Sequence, residues 1–308
     1  MAAPLIAIVG PTGAGKSALA LRLGRAYGGE IVSCDSLQVY RGLDIGSAKA
    51  TAEERREVPH HLLDVVDPDQ DFSAAEYARR ARAALADIAG RGRLPVVAGG
   101  TGLYLRALVD GLFAGPPREG ALRARLTGLA RRFGDRRLHR LLLRVDPEAA
   151  RRIQPRDRVR VVRALEVFWS TGRPISEHHR ESREALEGFR VRRVGLFPGR
   201  ERLRAAVVER TRGMFARGLV EEVRGLLARG YAPALRPLAA IGYRQAVAVV
   251  LGTMTREAAE RDMVAATLRF AKRQMTWFRR ERDVVWCEDA RTAEIAVREW
   301  LGPPPVRF

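Results

Sequence analysis

The stretch Leu5-Ile6-Ala7-Ile8-Val9-Gly10-Pro11-Thr12-Gly13-Ala14-Gly15-Lys16-Ser17 decides the fold. Its apolar opening has no polar alternation, as expected of a strand covered on both faces of a parallel sheet, and Gly10 ends it. Gly10 to Ser17 then satisfies G-x-x-x-x-G-K-[ST], and helical spacing of Ala and Leu follows from Lys16 to about Tyr27. A strand before and a helix after are the context in which this motif cradles phosphate. Glycines let backbone N–H groups approach the oxygens, the helix N-terminus adds partial positive charge, Lys16 adds a full one, and the Ser17 hydroxyl can hold Mg²⁺. A di- or triphosphate is therefore the expected ligand, ATP among the candidates.

Outward from this loop, Ile31-Val32 reads as a second strand, and Ser73 with Glu76 forms a capping box for a helix through about Ala89. Leu94-Pro95-Val96-Val97-Ala98 is a third strand, stopped by Gly99-Gly100. This alternation predicts an α/β fold, a P-loop NTPase-like parallel sheet flanked by helices. From about Gly115 the texture changes to Arg-rich helical segments, Ala121 to Arg132 and Arg158 to Trp169, with no strand between. An inserted, mainly helical subdomain over 116–189 is expected, interrupting a core of 1–115 and 190–308. Val191 to Phe197 resumes the sheet. Helices are expected over Glu201 to Ala216, Val220 to Arg229, Tyr243 to Leu251 and Thr255 to about Arg282, and Val284-Val285-Trp286 is a last strand.

Fifty-five Lys and Arg against 36 Asp and Glu leave a net charge of +19. That excess implies a polyanionic partner, although an Arg-rich proteome would produce the same count. No apolar run approaches the roughly 20 residues needed to span a bilayer. The start, MAAPLIAIVG, lacks the basic region of a signal peptide. Cys34 and Cys287, the only cysteines, form neither a disulfide framework nor a zinc spacing. A cytoplasmic protein without membrane contact is expected.

An NTPase needs an Asp at the end of a later strand to help hold magnesium. The third strand here ends Ala98-Gly99-Gly100-Thr101 instead, which weakens the hydrolase reading. A carboxylate does follow the second strand, Asp35 in Ser33-Cys34-Asp35-Ser36-Leu37-Gln38-Val39-Tyr40. Carboxyl ends of neighbouring strands converge on one crevice, so Asp35 and Thr101 should both face the phosphate loop. Asp35 can serve as a general base, as a magnesium ligand or as a helix cap. Adjacent His60 and His61 have no further ligands at metal spacing and read as loop hydrogen-bonders.

Eight segments, Gly10 to Ser17, Asp35 to Tyr40, Asp44-Ile45-Gly46-Ser47-Ala48-Lys49, Pro59-His60-His61-Leu62-Leu63-Asp64, Gly99 to Tyr104, Arg163-Ala164-Leu165-Glu166-Val167, Ala240-Ile241-Gly242-Tyr243 and Ala271 to Phe278, follow in order along nearly the whole chain. In them the chain resembles the bacterial tRNA dimethylallyltransferase family. The resemblance implies transfer of a dimethylallyl group from dimethylallyl diphosphate to N6 of the adenosine immediately 3′ of the anticodon, in tRNAs reading codons that begin with U. N6-isopentenyladenosine is the implied product, Mg²⁺ the implied metal, and the tRNA anticodon stem-loop the implied partner of a monomer. It assigns Asp35 as general base, Thr101 as a hydrogen-bonder at the reacting centre, and the loop Gly10, Pro11, Thr12, Gly13, Ala14, Gly15, Lys16 and Ser17 as cradle of the diphosphate. Arg210 matches a family arginine that reaches the same diphosphate, and a solvated helix arginine is the alternative. The chain departs from the family at Gln154, where relatives carry His, and at Cys34, where they carry Ala.

Basic stretches interleaved with aromatics are the candidate RNA face: Val159, Arg160, Val161, Val162 and Arg163, then Lys272, Arg273, Gln274, Trp277 and Arg279. An amphipathic helix with apolar residues in the core gives the same pattern. Asp35, Ser36, Leu37 and Gln38 complete the candidate tRNA contacts. Gln38 could read an adenine edge or merely close a helix turn. Two competing classes remain at this stage. A small-molecule kinase explains the loop but not the charge, and an RNA-binding switch without chemistry leaves Asp35 and Thr101 without a task.

Overall fold

Leu5, Ala7 and Val9 join one hydrophobic core and Ile6 and Ile8 another, because successive side chains of a strand leave opposite faces of its sheet. The computed structural model describes residues 2–113, 115–116, 119–180 and 184–304. The chain runs β1 (Ala3–Val9), α1 (Lys16–Tyr27), β2 (Glu30–Ser33), α2 (Ala52–Glu57), β3 (His60–His61), α3 (Ala74–Gly90), β4 (Pro95–Ala98) and α4 (Gly102–Val109). It then passes through α5 (Gly120–Phe133), α6 (Asp135–Val145), α7 (Pro147–Arg152), α8 (Arg158–Thr171) and α9 (Ile175–His178). It returns as β5 (Phe189–Leu196), α10 (Arg200–Ala216), α11 (Leu219–Ala228), α12 (Tyr243–Val250), α13 (Arg256–Phe278), β6 (Val284–Cys287) and α14 (Ala290–Leu301).

The strands form one parallel sheet in the order β3-β2-β4-β1-β5-β6. β1 lies between β4, with Ile8 opposite Ala98, and β5, with Val9 opposite Gly195. Gly10 leaves β1 at φ +137°, where a Cβ would stand 2.4 Å from the Leu196 carbonyl oxygen, so only glycine lets the phosphate loop start this close to β5. Elements absent from the sequence-based expectation include the helices α6 and α14 as well as shorter pieces. His60 and His61, expected in a loop, form the edge strand β3; His61 Nε2 lies 2.7 Å from a Glu30 carboxylate oxygen, and His60 Nδ1 donates to the Val58 carbonyl. That carboxylate also receives Arg91, and the guanidinium holds the Glu30 pKa down at about 2.

The chain divides into two compact units, one of Met1–Val109 with Leu186–Phe308 and one of Asp110–Ala185. The insertion therefore opens and closes earlier than the texture change at Gly115 suggests. The reason is local: Leu186 N–H donates to the Val109 carbonyl at 2.8 Å, and this bond sets the point where the chain leaves and rejoins the sheet-bearing unit. Residues 117, 118 and 181–183 of the expected subdomain lie outside the described residues, as do 1, 114 and 305–308.

In the helical unit Leu126, Leu138, Leu142, Val161, Val162 and Leu165 form the core. Fully buried Glu166 accepts from Arg123, Arg163 and the Glu119 N–H, so its charge is matched inside the unit. Gln154, one of the departures from the family pattern, is exposed in the loop after α7.

Candidate active site

The phosphate loop is assembled by elements remote in sequence. Gly15 takes the left-handed conformation as N-cap of α1, with no side chain capping the helix, so its first N–H groups stay available to an anion. Lys16 Nζ donates to the Pro11 carbonyl at 2.8 Å, bending the ammonium back into the loop. Burial of this end, with the Arg210 charge nearby, pulls the Lys16 pKa down to about 8, against the opposing pull of Asp35. Two cations therefore face each other here at an energetic cost that a diphosphate would relieve.

Arg210 projects from α10, and burial lowers its pKa while the Asp35 carboxylate acts in the opposite sense. Asp35 itself follows β2. One of its oxygens accepts the N–H of Leu37 at 2.8 Å and of Gln38 at 3.4 Å, so it caps the turn that carries it. Thr101 Oγ1 accepts the Ser36 N–H at 3.1 Å, and Thr101 N–H donates to the Cys34 carbonyl. The ends of β2 and β4 are thus stitched together, with Thr101 bonded to the turn that carries Asp35. Cys34 beneath them is buried, and burial pushes its thiol up to about 12, far from a reactive thiolate.

Two cavities flank the loop. One, of about 370 Å³, is lined by Thr12, Asp35 and Arg210 and walled by apolar groups including Tyr40, Phe72 and Met214. Tyr104 also lines it and stacks on Tyr77 with ring centroids 4.3 Å apart. The other, of about 780 Å³, is lined by Ser17, Gln38, Lys49, Arg210 and Arg217. Arg210 alone among these cations lines both. The Ser17 hydroxyl makes no hydrogen bond among the described residues and opens on the second cavity, so it is free to ligate a cation. No group of His, Cys, Asp or Glu among the described residues has the proximity of a metal cage.

Several candidates have other tasks. Gln38 accepts from Ser33 Oγ at 2.8 Å and donates to the carbonyls of Ser47 and Ala48, leaving its amide little capacity to read a base. Gln274 is buried; its oxygen accepts the Thr12 N–H at 2.8 Å and its nitrogen donates to the Gly100 carbonyl at 2.9 Å. It braces the loop against the end of β4 and offers no surface to RNA. Val161 and Val162 are 1% and 2% exposed, so neither presents a surface for tRNA; a helix cannot turn consecutive residues all outward. Arg163 is committed to Glu166 and the Pro116 carbonyl.

What remains of the expected RNA face on α8 is Val159, 69% exposed, and Arg160. On α13 Lys272 and Arg273 are exposed, as is Arg279 just beyond its end. Trp277 is half-buried with the Arg106 guanidinium 4.4 Å from its ring centroid. Ser36 is exposed, and Leu37 half-buried, at the mouth of the apolar cavity. Residues with no role in the sequence-based expectation also shape the site. Lys49, its side chain 1% exposed, binds Asp44, Asp64 and the Tyr40 carbonyl under the second cavity, and Glu222 holds the loop above it. No local pattern marks Glu222, because the amides it holds lie far away along the chain.

A phosphate loop on a central strand of a parallel sheet, with a carboxylate after a strand one removed from it and cavities on both sides, defines a phosphate-loop α/β protein with a candidate anion site beside an apolar pocket. The IPP transferase family model matches residues 38–281, and the chain belongs to that family. It is 51% identical over 287 residues to a tRNA dimethylallyltransferase of Solibacter usitatus, covering 93% of each chain. Among solved structures it resembles the tRNA isopentenylpyrophosphate transferase of Bacillus halodurans, with TM-score 0.70, 36% identity and coverage of 97% and 95% of the two chains. A eukaryotic dimethylallyltransferase acting on tRNA superposes with TM-score 0.80 at 25% identity, covering 99% of this chain and 81% of that one.

Proposed function

We propose that this chain transfers the dimethylallyl group of dimethylallyl diphosphate to N6 of the adenosine immediately 3′ of the anticodon, in tRNAs reading codons that begin with U. The observation that carries this reading is the placement of Asp35 on the wall of an apolar cavity that shares Arg210 with a second, cationic one. The allylic C1–O bond breaks, the C1–N6 bond forms, and diphosphate leaves. Lys16, Arg210 and the amides at the start of α1 meet the negative charge that grows on the leaving group. The N6 proton passes to the Asp35 oxygens, which are already fixed by the Leu37 and Gln38 N–H groups. Thr101 keeps that turn in place through the Ser36 N–H.

Adenine must leave its loop stack to reach the cavity, and Tyr104, Phe72 and Phe270 offer aromatic surface there. Mg²⁺ would be held by Ser17 and the oxygens of the diphosphate, where it would neutralise the leaving group's charge. The exposed Arg160, Lys272, Arg273 and Arg279 are the candidates for phosphate contacts along the anticodon stem-loop. The same reading makes the protein a cytoplasmic enzyme that acts as a monomer. Among the described residues no helix is long and apolar enough to cross a membrane.

Incubation of the protein with labelled dimethylallyl diphosphate, ATP and tRNA in separate pairs tests this reading. Prenylated tRNA is expected and ATP turnover is not. Robust ATP hydrolysis or metabolite phosphorylation without prenyl transfer would reverse the conclusion.

A further inference from the structure

Between β2 and α2 the segment 44–48 separates the two cavities: Gly46 and Ser47 line the apolar one, and Asp44, Ile45 and Ala48 the cationic one. It belongs to no regular element, and Ala48 is held at φ +49°, so something other than a strand or helix ladder must fix it. That something is Glu222 on α11. One carboxylate oxygen accepts the N–H of Asp44 at 3.0 Å and of Ile45 at 2.7 Å, and the other accepts from Gly46 N–H at 3.4 Å and Tyr243 Oη at 2.8 Å. Three successive amides converge on a single anion, an arrangement that stabilises a loop only while the charge is present.

Tyr243 is fully buried and orients the carboxylate; its ring fills the space beside Gly46, where a Cβ would meet it at 2.6 Å. From the segment the contacts continue inward. The carbonyls of Ser47 and Ala48 hold the Gln38 amide, and the Gln38 N–H is itself one of the donors to Asp35. Glu222 touches neither cavity, yet each end of this chain of bonds lies on one.

We propose that Glu222 is a positioning residue for prenyl transfer: by anchoring the 44–48 segment it sets, through Gln38, the turn that carries Asp35 between the two cavities. This rests on the transferase reading of the site. A neutral amide at 222 would keep the shape and one accepting oxygen but turn its NH₂ toward backbone N–H groups of the segment, which would drift. The effect belongs in kcat, since the phosphate loop and the exposed arginines are untouched.

The experiment compares the full-length wild type with Glu222→Gln and Glu222→Asp for kcat, KM for both substrates, direct tRNA binding and thermal midpoint. Glu222→Gln is expected to lower kcat about 10- to 100-fold, a range typical for loss of a group that holds catalytic geometry, with tRNA binding within about twofold of wild type. Glu222→Asp, which keeps the charge, should recover most of the loss. Gly46→Ala displaces the same segment against Tyr243 and Leu219 while leaving the Glu222 carboxylate in place, and should reproduce the kcat defect even if Glu222→Gln does not fold. Wild-type kcat in Glu222→Gln or in Gly46→Ala would overturn the proposal, as would a kcat loss tracking the unfolded fraction with no recovery in Glu222→Asp. The wild type separates the two claims: if it prenylates no tRNA, the transferase reading fails, whereas equal transfer by wild type and Glu222→Gln removes only the role of Glu222.

Discussion

Asp35 has two jobs that a substitution can separate, because the oxygen that caps the turn and the charge that accepts a proton are lost differently. Asp35→Asn keeps a carbonyl oxygen for the Leu37 and Gln38 N–H groups but removes the basicity. Single-turnover prenyl transfer should fall about 10²- to 10⁴-fold while dimethylallyl diphosphate and tRNA binding change little. Near-normal transfer would leave Asp35 as a cap alone. Lys16 carries a different signature. Its pKa drops from 10.5 unfolded to about 8 folded, so below pH 8 both states hold the proton and the full penalty of burying the charge is present. Between 8 and 10.5 the unfolded chain binds more protons, and stability rises with pH until the penalty is gone. Its size is at most about 3–4 kcal/mol, since a tenfold change in proton affinity corresponds to about 1.36 kcal/mol. Lys16→Met should therefore be more stable than wild type in urea at pH 7, with the advantage fading toward pH 10.5 and diphosphate binding weakened at every pH. An advantage that grows with pH would contradict this account. Both residues were legible in the sequence because their surroundings are local: a loop with a fixed spacing, and a strand end next to it. The internal engagement of Gln274 was not, since Thr12 and Gly100 lie far away along the chain, and that of Gln38 was not because its near neighbours Ser33, Ser47 and Ala48 meet it only through the irregular path of the loop.

At the scale of elements, α8 shows how a motif read residue by residue overreaches. Val159 and Arg160 face outward while Val161, Val162 and Leu165 point into the helical core, a division that the helical period already contains. Val162→Ala should cost on the order of 1–3 kcal/mol of stability through the cavity it leaves, measured by denaturant unfolding, and leave the salt dependence of tRNA binding unaltered. Arg160→Ala should do the reverse, with stability within about 0.5 kcal/mol of wild type and a shallower salt slope. Equal tRNA-binding defects in the two variants would reinstate the whole segment as an RNA face. The long helices α1, α3 and α13 were predictable because each carries a period or a cap over many residues, and β1 because its unbroken apolar run leads straight into the phosphate loop. The edge strand β3 was not, because a strand of two residues has no period and forms only when β2 is already there to pair with.

Over the whole molecule the net charge of +19 should govern how tRNA is held. Phosphate neutralisation releases condensed counterions, so the logarithm of the binding constant should fall linearly and steeply with the logarithm of salt concentration. Affinity unchanged between about 50 and 200 mM salt would detach the basic surface from tRNA. The hydrogen bond from Leu186 N–H to the Val109 carbonyl is 2.8 Å long. Where the two ends of an inserted segment lie a single hydrogen bond apart, a short turn can close the gap that its removal leaves. Residues 110–185 are in this sense a cassette. Joining Val109 to Leu186 through a short glycine-serine turn should yield a soluble miniature that melts cooperatively and still captures diphosphate at Lys16.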